Sequence, residues 1–153
     1  MPNATLADVL KEQFGDAFDI LAASIPVFTP DEWRTGGSPF DGPARGVAHA
    51  LQCAEFYPRP SRAIFGNLGK PIWEMDEQDL PDQASMAEYL EKTRAMTLAW
   101  IDEIDAIGFD QPSGDDGTIG LARVVYALRH LQHHTGEVCA YQKQFGHPQE
   151  KWD

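Results

Sequence analysis

Three histidines carry the chemistry this sequence offers. His130 and His134 stand one helical turn apart near the C-terminal end, and His49 lies far upstream in another segment. Residues at i and i+4 share a face of a helix, so two imidazoles can converge on one ion. A third imidazole from a neighbouring helix would complete three legs of a tetrahedral or octahedral shell and leave coordination positions open. That is the geometry of a reactive metal site. The same spacing also fits a partly buried, hydrogen-bonded pair, and spacing alone does not separate the two.

The elements that must position these residues read as helices. The 153 residues suit one domain over 1–153, and four amphipathic segments are divided by Pro and Gly with no sustained strand-like alternation, so the expected fold is all-α. The first helix runs from about Leu6 to Ile25, capped by Thr5 with Asp8 and stopped by Pro26, with Leu6, Val9, Leu10, Phe14, Ala17, Phe18 and Leu21 as its apolar stripe. The second opens at Pro43 and ends near Tyr57. From Pro58 to Pro81 no helical period appears, which predicts a long crossover. Ser85 and Glu88 form a capping box for the third helix, whose buried side is Met86, Leu90, Thr93, Thr97, Trp100, Ile101 and Ile104. Asp116 or Thr118 caps the fourth, which ends at Gly146 and Pro148.

On a wheel of the fourth helix, Val124, Leu128, Leu131, Thr135 and Val138 form the core side, and His130, His134 and Tyr141 lie about a quarter-turn away with Glu137 just beyond. His133 points to water and is rejected as a ligand, and His147 reads as a tail residue. His49 shares a face with Cys53 and Phe56 and looks inward, where it can meet the pair. Cys53 is read as a buried small hydrophobe and left out of the ligand set. Glu137 and Tyr141 are the candidates for acid–base work, each with a structural reading beside it: a solvated carboxylate and a core-edge phenol. Glu55 pairs with an arginine such as Arg59, and Trp73, Trp100 and Phe65 serve packing.

Other chemistries are excluded. No Glu stands three residues before any histidine, so a carboxylate-bridged di-iron bundle has no ligands. Leu131 occupies the place of the general base in a zinc-protease His-Glu-x-x-His motif. No glycine-rich phosphate loop occurs. A net charge of −12 argues against nucleic acid and anionic membranes as partners. Two separated cysteines, no signal peptide and no long apolar run lead us to expect a soluble cytoplasmic protein.

The segment Gly-Val-Ala-His49-Ala-Leu-Gln-Cys-Ala-Glu55, the long crossover and the final Leu-Arg-His130-Leu-Gln-His-His134-Thr-Gly-Glu-Val together resemble the DinB/YfiT-like family of metalloenzymes over nearly the whole chain. The resemblance implies a four-helix bundle with a divalent metal bound by one histidine of the second helix and a pair from the fourth, positions matched here by His49, His130 and His134. It also implies an enzyme: a transferase or isomerase using a low-molecular-weight thiol such as glutathione, mycothiol or bacillithiol, or a hydrolase. Imidazole ligands favour Zn²⁺ or Ni²⁺. The alternative is a bundle, dimeric and without turnover, that binds a metal or ligand.

Overall fold

The computed structural model describes residues 4–37, 40–58, 68–149 and 151. Among them are five α-helices and no strand: α1 (Leu6–Ser24), α2 (Pro30–Trp33), α3 (Pro43–Phe56), α4 (Gln83–Ile107) and α5 (Gly120–Gln144). No helix among the described residues is long and apolar enough to cross a membrane. The four predicted helices correspond to α1, α3, α4 and α5. The short α2 was not anticipated; it is started by a Thr29–Glu32 capping box with Pro30 in its first turn, and the Trp33 indole N–H fixes it by donating to the Pro81 carbonyl at 2.9 Å.

Three local expectations change. In α1, Leu6 and Val9 are 46% and 43% exposed, and Ala7 takes the buried place, because the inward stripe steps through Ala7, Leu10, Phe14, Ala17, Phe18 and Leu21. The cap of α4 is Asp82 rather than Ser85: its carboxylate accepts the Ser85 N–H at 2.8 Å, and the helix therefore begins about one turn earlier. No side chain caps α5. Its first amides are satisfied by main-chain carbonyls of the preceding loop, Gly120 N–H to Gln111 and Leu121 N–H to Phe109, both at 2.9 Å, while Asp116 turns to Thr118 N–H and Arg123.

Around the core each long helix packs chiefly on two others, in the cyclic order α1, α4, α3, α5. Phe14, Phe18, Leu51, Leu90, Ile101 and Leu131 are almost fully buried along it. The α3–α5 contact is the most extensive. It is close because α3 carries Gly46 where the helices touch: a Cβ there would stand 3.3 Å from Val138 Cγ2. Two side chains of α3 fasten the end of the crossover. The Gln52 amide donates to the Lys70 carbonyl and accepts the Ile72 N–H, each at 2.9 Å, and the buried Arg45 donates to the carbonyls of Ile72 and Met75.

Gly42, the N-cap of α3, has φ +100°, and a Cβ on it would lie 1.9 Å from the Thr35 carbonyl oxygen. Urea unfolding should show Gly42→Ala destabilised by about 1–3 kcal/mol from backbone strain. Gly15→Ala, mid-helix in α1 with nothing within 4 Å of the new methyl, should instead gain about 0.5–1 kcal/mol. Equal midpoints for the two variants would contradict this reading of the turn.

Candidate metal centre

The close approach at Gly46 and Val138 sets the geometry of the histidines. His49 follows Gly46 by one turn on α3, and His134 precedes Val138 by one turn on α5, so the crossing brings their rings together with centroids 4.4 Å apart. His130 joins from the next turn of α5, 4.5 Å from His134 and 5.6 Å from His49 between centroids. One ring nitrogen from each of the three lies within 4.8 Å of the others. The Nε2 atoms of His130 and His134 are 3.0 Å apart, against about 3.4 Å for two nitrogens bound tetrahedrally to one ion. Without an ion, the same distance suits an N–H···N hydrogen bond between neutral rings.

Glu137 decides the tautomer of His134. Its carboxylate oxygen lies 2.5 Å from His134 Nδ1, so this nitrogen carries the proton and donates it, which turns the Nε2 lone pair toward the other histidines. Burial, reinforced by the neighbouring imidazoles, lowers the pKa values of His49 and His130 from 6.5 to about 4. Both rings are therefore neutral near pH 7, the state a metal ligand requires. Burial pushes the Cys53 thiol up to about 12, so it stays protonated beside His49, 3.8 Å away. Three imidazoles, one oriented by a carboxylate, are a donor set suited to a borderline divalent cation.

The other sequence candidates separate here. Tyr141 donates to Asp41 at 2.7 Å and accepts the Gly42 N–H at 2.9 Å, which commits its hydroxyl to holding the start of α3 against α5. Glu137 is engaged by His134 and lies 3.4 Å from the solvent-facing His133, so its carboxylate orients a ring. His133, His134 and Glu137 form a second group with metal-ligand spacing, in which His134 is buried and the other two are exposed. His147 is no free tail: it packs edge-on against Phe28 and pairs with Glu32 at 2.7 Å. Glu55 accepts a hydrogen bond from the Tyr89 hydroxyl at 2.7 Å, and Arg59 and Phe65 lie outside the described residues. Trp100 is buried and Trp73 is 56% exposed.

Sequence reasoning missed Tyr57 and Tyr126. They extend two facing ladders of i, i+4 residues: His49, Cys53 and Tyr57 on α3, and Tyr126, His130 and His134 on α5. Reading each ladder one rung further would have found both. Their rings stand 5.1 Å apart at 79° and wall a groove of about 720 Å³ beside His130, with Phe56, Asp115, Asp116 and Arg123 around it. Compared with known proteins, the sequence matches no family profile and no curated protein.

Two outcomes follow from this geometry. Glu137→Gln should fold normally yet weaken metal binding about 10–100-fold in chelator competition, whereas His133→Ala should leave affinity unchanged. The second concerns pH. Because His49 and His130 are harder to protonate in the fold than at their ordinary 6.5, their contribution to stability is present above about pH 6.5 and is lost as pH falls toward 4. With chelator present, urea midpoints should decline across that window, and the double replacement His49→Gln with His130→Gln should flatten the decline.

Proposed function

We propose that this protein is a divalent-metal enzyme on a four-helix bundle of the DinB/YfiT-like kind, with His49, His130 and His134 as ligands. The observation that carries this reading is the convergence of the three imidazoles across α3 and α5, with the His134 tautomer set by Glu137. Zn²⁺ or Ni²⁺ suits imidazole better than Mg²⁺ or Ca²⁺. A divalent ion held by three neutral ligands supplies Lewis acidity at its open positions, lowering the pKa of a coordinated thiol or water toward neutrality.

The protein's own groups orient and shield. Glu137 holds His134, the Phe40 ring covers His49 at 4.6 Å between centroids, and Tyr141 is tied up in the fold. With Glu137 and Tyr141 so engaged, neither of the two acid–base candidates is free to activate a nucleophile. A thiol cosubstrate supplying its own sulfur is therefore the best-supported reaction type: a transferase or isomerase acting in the cytoplasm on a small molecule, with a low-molecular-weight thiol as partner.

Protein purified without a histidine tag should retain about one equivalent of Zn²⁺ or Ni²⁺. Titrating glutathione, mycothiol and bacillithiol into the Co²⁺-substituted protein should produce a sulfur-to-metal charge-transfer band with at least one of them, and His134→Ala should abolish it. Hydrolysis of simple esters or amides without any thiol response would move the assignment to a hydrolase. No response in either assay would favour the non-catalytic bundle.

A further inference from the structure

The metal reading leaves an asymmetry between the two histidines of α5. His134 is backed by the Glu137 carboxylate, whereas the outer edge of His130 faces Tyr57 of α3, whose hydroxyl oxygen lies 3.4 Å from His130 Nδ1. The inner edge of His130 is already assigned, because its Nε2 faces His134 Nε2 at 3.0 Å. A neutral imidazole carries one N–H. If Nε2 gives its lone pair to an ion, the proton sits on Nδ1 and needs an acceptor.

We propose that Tyr57 is the positioning residue for His130, its hydroxyl oxygen accepting the Nδ1 proton and so aiming Nε2 into the centre. The proposal rests on the metal reading above. Tyr57 is well held for the task. Its backbone N–H donates to the Cys53 carbonyl at 3.0 Å as the C-cap of α3, and its ring stands edge-on to Phe56 at 5.6 Å and to Tyr126 at 5.1 Å. Tyr126, whose ring also lies 6.2 Å from that of His130, is 52% exposed at the groove, so the Tyr57–His130 contact sits at the solvent-facing end of the cluster.

Magnitudes rank the two orienting groups. The Glu137 contact is short and charge-assisted; the Tyr57 contact is neutral and, at 3.4 Å, longer than a settled N–H···O bond. Tyr57 should therefore contribute at the lower end of what such partners give, about tenfold in metal affinity.

The test compares the Zn²⁺-loaded parent with Tyr57→Phe, which keeps the ring contacts and removes only the hydroxyl. Chelator competition should show about tenfold weaker Zn²⁺ binding. Imidazole ¹⁵N NMR should show the His130 Nδ1–H exchanging faster with water while the His134 Nδ1–H, held by Glu137, is unchanged. A purely structural role for Tyr57 would disturb both protons or neither. Unchanged affinity with a protected His130 Nδ1–H overturns the proposal. A measurement on the parent alone guards against a variant that fails to fold: zinc-loaded His130 must be the Nδ1–H tautomer, and an Nε2–H tautomer overturns the proposal outright. A parent that takes up no metal instead removes the reading on which the proposal stands, a result distinct from a loaded parent indifferent to Tyr57→Phe.

Discussion

The closeness of α3 to α5 is the constraint on which the site depends. A residue without a side chain, Gly46, meets Val138 where the helices touch, and the helical repeat then places His49 and His134 one turn away on either side of that contact. Helix axes approach in proportion to the size of the residues between them. Three imidazoles with ring nitrogens within 4.8 Å of one another are thus a property of the packing as much as of the histidines. The rest of the core serves the same end, since α1 and α4 pack on this pair from the far side.

Much of the arrangement was legible in the sequence because it rests on periodicity. The apolar stripes of α4 and α5, the breaks at proline and glycine, and the opposite orientations of His133 and His134 all follow from 100° per residue. What failed was local and polar. Ser85 with Glu88 satisfies the capping pattern, yet Asp82 stands a turn earlier behind a proline and is the residue whose carboxylate takes the Ser85 N–H. The α5 amides are met by carbonyls of residues 109 and 111, main-chain partners that leave no mark in residue types. His147 looked like tail because its partners, Phe28 and Glu32, are remote in sequence and the helix that carries Glu32 is a single turn.

Around the cluster, the groups behind each histidine differ in kind. A carboxylate backs His134, a phenol faces His130, and a thiol and a phenylalanine ring flank His49. An anionic acceptor makes its imidazole more basic than a neutral one does. The three nitrogens are therefore unequal donors, with His134, the most buried of them, also the most electron-rich.

The fastening of the crossover has a separate consequence. Gln52 and Arg45 reach across from α3 and bind main-chain atoms of residues 70–75, three carbonyls and an amide. A contact that reads the backbone is indifferent to the side chain mounted on it. The exposed positions of this stretch can therefore change over evolutionary time without loss of its anchorage, while Gln52 and Arg45, and the buried Ile72 and Met75, cannot be exchanged freely. Diversification of the surface is thereby separated from the two α3 residues that hold it in place.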